Sequence, residues 1–500
     1  MKGDPAKNPQ FHTAIIGAGF AGLGAGIKLK QSTNYSFIIF ERASDVGGTW
    51  RDNIYPGCGC DVPSHLYSFS FERNPAWSRS FSKQPEILNY IRQCTTKYGL
   101  DKHIQYDTEI KHLFFDENQG FWILTDQRGN TVTAKTVIAA LGPLNVPVFS
   151  KINGRENFGG VSFHSSEWNT NFDLAGKRVA IVGTGASAIQ IVPAIADKVA
   201  QLTVFQRTPP WIMPKKDKEF GSFTKTVFKK IPTLNWLFRE MIYWFMEARG
   251  KGFFGNDTIL KLATWVAKMH INKSIADPVL REKVTPGYQI GCKRVLPSND
   301  YYPALQKPNV ELVTEPIDQV TGSGITGKDG TQWEFDAIVY ATGFISAEYK
   351  GRGMDVIGRN GRNLFEEWNG TGPEAYYGIA ASGYPGLMFI LGPNSGLGHN
   401  SVIHIMESQI NYIMDYLKHL PEGQFLDLKA SVQDNYNRDL QQKLKNTVWS
   451  SGCSSWYQTA EGKNTTLWYG PTYTFRKLTR QIKLENYEAV KVRTGQKQMA

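Results

Sequence analysis

The stretch HTAIIGAGFAGLGAGIKLK, residues 12–30, decides the fold of this 500-residue chain. It joins a short apolar run to a helical pattern through Gly17-x-Gly19-x-x-Gly22, and the next apolar run, SFIIFE, ends in Glu41. In a strand–turn–helix unit, the first glycine permits a tight turn, the second lets a pyrophosphate approach the backbone, and the third lets the helix pack closely on the strand. The helix N-terminus then faces the phosphates. The stretch therefore predicts a dinucleotide-binding unit.

The same pattern recurs at residues 178–208, RVAIVGTGASAIQIVPAIADKVAQLTVFQRT. An apolar run leads into Gly183-x-Gly185-x-x-Ala188, and a helical pattern and a second apolar run follow. This unit predicts a second dinucleotide site. The residues of the turn and of the helix start that we expect to hold the cofactor are Gly183, Thr184, Gly185, Ser187 and Gln190.

The two units differ at the end of their second strand. Glu41 stands 24 residues after Gly17, and Arg207 stands 24 residues after Gly183. A carboxylate would repel a 2′-phosphate, whereas a guanidinium, helped by Thr208, can pair with one in a forked geometry. We therefore expect FAD or NAD at the first site, with its ribose against Glu41, and NADP at the second. The alternative is that Arg207 is an ordinary surface cation.

One flavin-type and one nicotinamide-type site usually serve hydride transfer from the second cofactor to the first. Two further apolar runs, TVIAALGP at 136–143 and FDAIVYATGF at 335–344, predict strands that pass a cofactor or cross between domains. A disulfide acceptor would need two thiols at short spacing, and only Cys58 and Cys60 come near. Such a pair closes a strained ring poorly. Molecular oxygen or a separate electron carrier is therefore the expected acceptor.

Composition narrows the class of protein. Lys and Arg exceed Asp and Glu by 56 to 45, but they are scattered along the chain, which argues against nucleic-acid binding. Five cysteines, an odd count without metal-ligand spacing, favour a reducing compartment and no metal site. The first ten residues lack the apolar core of a signal peptide, and no apolar run reaches the roughly 18 residues of a spanning helix. We expect a cytoplasmic monomer or weak homo-oligomer.

The segment FGGVSFHSSEWN, residues 158–169, carries a family pattern. It matches the F-x-G-x-x-x-H-x-x-x-W fingerprint of type I Baeyer-Villiger monooxygenases at Phe158, Gly160, His164 and Trp168. The family usually has Pro or Asp after the tryptophan, where this chain has Asn169. A second family pattern, G-G-x-W-x-x-x-x-Y-P-G-x-x-x-D, fits in full at residues 47–61. The chain resembles this family along its whole length, through GCKR, ATGF, GPNSGLGHNS and SSWYQTAEGKNTTLW.

The resemblance implies an enzyme that uses FAD, NADPH and O2 to insert one oxygen atom next to a ketone carbonyl. The product is an ester or lactone, the oxygen passes through a C4a-peroxide of the flavin, and sulfides are further substrates. One alternative is a flavin-containing monooxygenase that acts on N or S atoms, or an uncoupled NADPH oxidase. Another is a non-catalytic dinucleotide sensor, which the presence of both Asp61 and Arg294 disfavours.

The resemblance also assigns catalytic roles. Arg294 matches the family's catalytic arginine, and Asp61 matches the carboxylate that orients it; both also lie among the expected cofactor contacts. An arginine beside the flavin stays charged and can stabilise negative charge on oxygen. His164 matches a histidine that couples domain movement to catalysis, and the glycines before it suit a hinge. From the residues alone, a satisfied interdomain histidine is the alternative.

The remaining expected cofactor contacts come from the same resemblance. Lys293 matches a lysine that joins Arg207 on the 2′-phosphate, and Trp456 matches a tryptophan that contacts NADP. From the residues alone, a Trp beside a Tyr is more often packed in a core. The positions expected near FAD, besides the first glycine motif, are Gly48, Trp50 and Tyr67.

The implied fold class is α/β, with two Rossmann-like dinucleotide-binding domains and a helical insertion. The FAD domain comprises residues 1–147 and 345–500, and it encloses an NADP domain of residues 148–218 and 285–344. The insertion, residues 219–284, is aromatic and basic, and we expect it to pack on the NADP domain rather than to contact a membrane. A membrane-lying amphipathic face is the alternative.

Overall fold

The computed structural model describes residues 8–149, 151–344, 353–453 and 455–492, so the start of the second FAD segment expected at residue 345 lies outside the described residues. The strands are β1 (Phe11–Ile16), β2 (Phe37–Phe40), β3 (Ile104–Gln105), β4 (Ile110–Asp116), β5 (Phe121–Asp126), β6 (Thr131–Ala139), β7 (Val161–His164), β8 (Arg178–Val182), β9 (Gln201–Phe205), β10 (Ile212–Met213), β11 (Leu296–Pro297), β12 (Val310–Val313), β13 (Ile317–Val320), β14 (Gly324–Gly327), β15 (Gln332–Glu334), β16 (Ala337–Tyr340), β17 (Asp355–Ile357), β18 (Leu387–Phe389), β19 (Gln424–Leu428) and β20 (Tyr487–Lys491). The α-helices are α1 (Phe20–Ser32), α2 (Thr49–Asp52), α3 (Gln84–Lys97), α4 (Ala188–Ile195), α5 (Ser222–Lys230), α6 (Pro232–Gly250), α7 (Asp257–Ser274), α8 (Pro278–Val284), α9 (Tyr301–Leu305), α10 (Leu364–Thr371), α11 (Val402–Lys418), α12 (Ala430–Leu444) and α13 (Thr472–Leu478).

The first sheet has the strand order β17-β4-β5-β6-β1-β2-β3, and β18 also pairs with β6. β1 pairs in parallel with β2 and with β6, whereas β4, β5 and β6 are antiparallel. Ala14 and Ile15 in β1 are fully buried, as expected for a central strand covered on both faces. We call this sheet with its helices the first unit.

The second sheet is parallel and has the strand order β12-β9-β8-β16-β7. The segment with the family fingerprint supplies its edge strand β7, which pairs with β16 through Phe163↔Val339 and His164↔Tyr340. We call this sheet with its helices the second unit. Two units of this kind, each opened by a strand–glycine turn–helix, confirm the predicted α/β class.

Two connections cross side by side between the units. The chain leaves the first unit after β6 and returns after β16, and the two crossings pair at Pro147 and Phe344. The N–H of Val148 also donates to the carbonyl of Gly343 at 2.9 Å. The predicted strands at 136–143 and 335–344 therefore end where the chain crosses between the units.

The helical insertion leaves the second unit after β10 and returns at β11, and these two strands pair at Ile212↔Leu296. α7 packs against β10 and α9 of the second unit, as expected. α6 does not follow the expectation, because Arg239 donates to the carbonyl of His65 at 2.7 Å in the first unit. No helix in the described part of the chain is both long enough and apolar enough to cross a membrane.

Candidate active site

The first glycine turn is shaped for close backbone approach. Gly17 has φ +105°, and a Cβ there would lie 2.6 Å from the carbonyl oxygen of Ala140. A Cβ on Gly22 would lie 1.8 Å from the oxygen of Gly17. By contrast, a Cβ on Gly19 would meet only the Cα of Gly48, at 3.8 Å. The protein itself thus requires the first and third glycines, and the second borders space next to the uncapped N-terminus of α1.

Glu41 directly follows β2, and protein donors occupy most of the hydrogen-bond acceptor sites of its carboxylate. Its Oε2 accepts from the N–H of Ala18 at 2.9 Å. Its Oε1 accepts from the N–H of Ala43 at 3.0 Å and from Arg51 at 2.9 Å. A carboxylate offers about four lone-pair sites, so Oε2 keeps one for a further hydroxyl donor. This geometry fits the predicted contact with a ribose.

The second glycine turn has the same steric constraint as the first, and the space beside its middle glycine is more open. Gly183 has φ +112°, and a Cβ there would lie 2.6 Å from the oxygen of Ala341. A Cβ on Gly185 would meet no atom within 4 Å. Thr184 Oγ1 donates to the carbonyl of Thr208 at 3.1 Å and so ties the turn to the end of β9. The open space at Gly185 lies where a pyrophosphate is predicted.

Two cations from distant segments meet beside this turn. Burial, and then the neighbouring charge of Arg207, lower the pKa of Lys293. The Lys293 ammonium also lies 5.0 Å from the ring centroid of Tyr288. Arg207 is exposed, and among the described residues neither cation has a carboxylate within 4.0 Å. Like charges brought together without a protein counter-ion form a site for an anion.

Arg294 and Asp61 form a two-point ion pair between the units. Nη2 and Nε of Arg294 donate to Oδ2 of Asp61 at 2.6 and 3.1 Å. Burial alone would raise the pKa of Asp61, but the guanidinium outweighs it and lowers that pKa. Asp61 in turn raises the pKa of Arg294. The arginine side chain is 37% exposed, so part of this fixed cation stays accessible where the two units meet.

Aromatic side chains surround this ion pair. The indole N–H of Trp50 donates to the hydroxyl of Tyr67 at 3.1 Å, and burial raises the pKa of Tyr67. Tyr457 is 1% exposed, and burial raises its pKa to about 12 although Arg294 lowers it. The structure therefore places Tyr67, and Trp50 through it, close to the catalytic candidates, while their predicted contact with FAD stays a prediction. Sequence reasoning missed Tyr457, and its position directly after Trp456 is the signal that could have found it.

Lys215 is a second cation near Asp61 that sequence reasoning missed. Its ammonium lies 3.4 Å from the carbonyl oxygen of Cys60 and 4.8 Å from the ring centroid of Phe81. Its charge contributes to the lowered pKa of Asp61. No motif marks Lys215, because the contact depends on how the segment after β10 pairs with residues 78–80 of the first unit.

The start of α4 joins the two units. The side chain of Gln190 donates to the carbonyl of Gly59 at 3.0 Å and accepts from its N–H at 3.2 Å. It also accepts from the hydroxyl of Tyr55 at 3.2 Å, and the side chain of Ser187 bonds to the same hydroxyl. The amide of Gln190 is thus occupied by protein, while its predicted cofactor contact and that of Ser187 stay predictions.

His164 is fully buried where the two connections cross. Its Nδ1 lies 2.8 Å from the hydroxyl of Ser166, and its ring stands edge-on to Phe149 and Phe344 at 5.6 and 5.4 Å between centroids. Burial lowers the pKa of His164 to about 4, although the backbone of Gly343 opposes that shift. A neutral, packed imidazole at this crossing fits an interdomain role.

The glycines of the fingerprint have a different reason from the expected one. Neither Gly159 nor Gly160 has a positive φ, so unusual backbone angles do not explain them. A Cβ on Gly160 would lie 2.6 Å from the ring of Phe158 and 2.7 Å from the oxygen of Asp336. The structure thus gives a steric reason for Gly160, while the expected hinge stays a prediction.

Trp456 lies on a loop that is covalently tied to the loop of Arg294. Its side chain is 42% exposed, so core packing does not account for it. A disulfide joins Cys292, next to Lys293, to Cys453, with the two Cα atoms 6.2 Å apart. The odd cysteine count had favoured reduced thiols throughout. That expectation was wrong for this pair, because the fold brings together residues 161 positions apart.

The other cysteines are free and buried. Burial raises the pKa of Cys58 to about 11 and also raises the pKa of Cys60. A thiol attacks a disulfide as its thiolate. Because burial raises their pKa, the thiols of Cys58 and Cys60 stay protonated at neutral pH.

Comparisons with known proteins agree with this geometry. Residues 14–231 match the family model described as pyridine nucleotide-disulphide oxidoreductase. A Baeyer-Villiger monooxygenase of Pseudomonas aeruginosa is 48% identical over 487 residues, which cover 97% of this chain and 92% of that protein. The crystal structure of OTEMO in complex with FAD and NADP superposes with a TM-score of 0.86 at 25% identity, over 97% of this chain and 100% of that one. Cyclohexanone monooxygenase from Rhodococcus sp. Phi1 bound to NADP+ gives a TM-score of 0.87 at 26% identity, over 97% and 100%.

Proposed function

This chain belongs to the Baeyer-Villiger monooxygenase family, and we propose that it inserts one atom of O2 next to the carbonyl of a ketone to give an ester or lactone. It is an NADPH-dependent flavin monooxygenase with FAD and NADP as cofactors. The single observation that supports the ketone reaction best is the Arg294–Asp61 pair between the two dinucleotide turns. When bound, the two cofactors would supply hydride transfer and the activation of dioxygen.

The first unit fits FAD. The backbone at Gly17, Gly19 and Gly48 leaves room for a pyrophosphate, because a Cβ on Gly19 would meet only Gly48, another glycine. Oε2 of Glu41 keeps a lone pair that can accept a hydrogen bond from a ribose hydroxyl. Tyr67 lies 5.3 Å from Phe20 at the start of α1, between ring centroids, and it also feels the charge of Arg294, while Trp50 donates to its hydroxyl. We propose that these residues hold FAD.

The second unit fits NADPH. Arg207 and Lys293 would bind the 2′-phosphate, because they are close together and unpaired among the described residues. Gly185 would face the pyrophosphate, and Thr208 is held beside Arg207 by Thr184. The exposed indole of Trp456 is available to cover the nicotinamide half.

Arg294 is the group that we propose to stabilise negative charge on oxygen. A preorganised guanidinium loses little free energy to reorganisation when charge develops, and it keeps its proton throughout. Asp61 orients it by two hydrogen bonds to one oxygen. A sulfide would receive the same oxygen atom without needing a carbonyl, so we include sulfides among the substrates.

We further propose the domain division described above, with an FAD domain of residues 1–147 and 345–500 around an NADP domain of residues 148–218 and 285–344. His164 lies on the crossing that would move when these domains shift. Its packed, neutral ring supports a positioning role in that movement rather than contact with substrate.

A disulfide reductase and an uncoupled oxidase are the competing functions. The buried thiols of Cys58 and Cys60 argue against the first. Arg294 does not decide against the second, since a fixed cation also stabilises the negative charge that develops when dioxygen is reduced to released peroxide, so product analysis has to separate the two.

The test is product analysis of the FAD-loaded protein with NADPH, isotopically labelled O2 and a panel of ketones and sulfides. We expect an ester or lactone with one labelled oxygen, and a loss on the order of a hundredfold or more in Arg294→Ala. Arg178→Ala, which breaks an ion pair with Glu334 remote from the site, is the matched control. NADPH consumption without oxygenated product would identify an oxidase, and products from sulfides or amines alone would identify a heteroatom monooxygenase.

A further inference from the structure

α6 of the helical insertion is amphipathic, but it buries its polar side and exposes its apolar side. The side chains that it buries, at intervals of four, are Asn235, Arg239, Tyr243 and Glu247. Surface helices normally bury their apolar stripe and expose their polar one. The fold of this protein therefore uses the polar stripe of α6 for packing and leaves the apolar stripe outside.

The buried polar side chains of α6 form hydrogen bonds with residues of the first unit. Arg239 donates to the carbonyls of His65 and Leu66 at 2.7 and 3.2 Å. Glu247 accepts from the hydroxyl of Thr472 at 2.6 Å and lies 3.2 Å from Nε2 of His399. Because these bonds fix the rotation of α6, its exposed apolar face is built into the fold.

Exposed apolar side chains of α6 are joined by others on the neighbouring helices α5 and α13. We define the apolar face as Phe223, Leu234, Leu237, Met241, Trp244, Phe245 and Tyr473. Phe223 is 81% exposed, and the others range from 41% to 59%. Trp244 and Tyr473 lie 6.0 Å apart between ring centroids, so α13 extends the face. A patch of this kind on one side of a molecule marks an interaction site.

Cations border the apolar face. Arg249 lies 5.6 Å from the ring centroid of Phe245. The exposed cations at the C-terminal end of α5, on α13 and directly after α13 are Lys229, Lys230, Arg476, Lys477 and Arg480. In the described part of the chain none of these cations has a carboxylate within 4.0 Å, whereas one acid, Glu240, lies partly buried on α6.

We propose that the apolar face lies on the surface of a membrane that contains anionic lipids. Aromatic and aliphatic side chains would enter the boundary between headgroups and acyl chains, and the bordering cations would meet the lipid phosphates. The helix would lie in the interface and not cross it, which agrees with Arg239 and Glu240 near its centre. A second copy of this chain fits the face less well, because it would bring two identical sets of cations together in a protein of net charge +11.

The experiment is vesicle flotation of the FAD-loaded protein at fixed ionic strength. Vesicles of phosphatidylcholine alone are compared with vesicles that also contain phosphatidylglycerol. We expect flotation with the anionic vesicles and much less with the neutral ones. Leu237→Gln with Trp244→Gln should lower the apparent binding constant about tenfold or more. Lys229→Gln with Lys230→Gln should lower it roughly thirtyfold on anionic vesicles only, at about fivefold per lysine.

Val279→Gln on α8 is the matched control, since Val279 is 61% exposed but lies outside the apolar face. Retained flavin absorbance and NADPH oxidation in every variant would show that folding is intact. The proposal is overturned if anionic vesicles do not float the protein, or if Val279→Gln loses as much binding as the apolar-face variant. It is also overturned if the apolar-face variant abolishes a concentration-dependent dimer without any change in flotation.

Discussion

Oδ2 of Asp61 accepts both hydrogen bonds that Arg294 donates to this carboxylate, at 2.6 Å from Nη2 and 3.1 Å from Nε. Asp61 ends the GGTWRDNIYPGCGCD loop of the first unit, and Arg294 follows the insertion into the second unit. The pair therefore sets where the guanidinium stands between the two predicted cofactor sites.

Asp61→Asn tests the positioning role of this carboxylate. The amide oxygen can still accept one bond from Arg294, but the charge that raises the arginine pKa is gone. We expect FAD to stay bound and ester formation to fall by about ten- to a hundredfold, because hydrogen bonds to charged groups contribute about 1.5–3 kcal/mol. The measurement is the rate of product formation against NADPH consumption. Unchanged coupling would show that Asp61 does not orient Arg294.

Arg207→Ala with Lys293→Ala tests the 2′-phosphate site. Each charge-assisted contact with the phosphate should contribute about 1.5–3 kcal/mol, so KM for NADPH should rise by on the order of a hundredfold or more. NADH lacks the phosphate, and its KM should change little. Lys177→Ala, an exposed cation of the same unit, is the control. An equal loss for both coenzymes would remove the assignment.

The sequence was sufficient to predict the features that depend only on the spacing of neighbouring residues. The two glycine turns, Glu41 against Arg207, and the strand before each turn follow from motifs within about 30 residues, the scale of one βαβ unit. It was insufficient wherever distant segments meet. α6 was assigned to the wrong unit because Arg239 finds its partners at His65, far away in the chain. The contact of Lys215 with Cys60 and the Cys292–Cys453 bond likewise depend on tertiary packing that no local pattern encodes.

Reduction of the Cys292–Cys453 bond should loosen the loop that carries Trp456. The bond closes a long loop, and such cross-links contribute roughly 2–4 kcal/mol by restricting the unfolded chain. We expect a reductant to lower the Tm of the wild type by a few degrees and to raise its KM for NADPH. Cys453→Ser should show both changes without reductant and should not respond to it. Alkylation of all five cysteines in unreduced protein would contradict the bond.

Mild acid should destabilise the protein through four histidines whose pKa the fold lowers. Burial lowers the pKa of His12, His65 and His164 to about 4 and that of His404 to about 3, from an ordinary value of 6.5. Between pH 6.5 and 4 the unfolded state thus binds more protons, so stability falls as pH falls. Each histidine can add at most about 1.4 kcal/mol per pH unit.

The measurement for this pH effect is Tm at pH values above about 5.5, where ordinary carboxylates are still almost fully ionised. His404→Gln should make the dependence of Tm on pH shallower, because it removes one of the four histidines that bind a proton more readily in the unfolded state than in the folded state. A Tm that stays constant over this range in the wild type would show that the histidines do not govern acid stability.

Gly185→Ala separates an effect on the cofactor from an effect on the fold. A methyl group on Gly185 would meet no protein atom within 4 Å, and its φ is not in the left-handed region, so the Tm of the cofactor-free protein should not fall. The same methyl group would occupy the space where the pyrophosphate of NADPH is predicted to approach the backbone. We expect KM for NADPH and for NADH to rise together by about tenfold or more, since the pyrophosphate is common to both and about 1.4 kcal/mol suffices for a tenfold change. Gly183→Ala is the matched control, because its φ of +112° and a contact of 2.6 Å with Ala341 should instead lower Tm. If Gly185→Ala binds both coenzymes as the wild type does, the open space beside the second turn is not the pyrophosphate site. The similarity of the two glycine turns would then not mean that both bind a pyrophosphate in the same way.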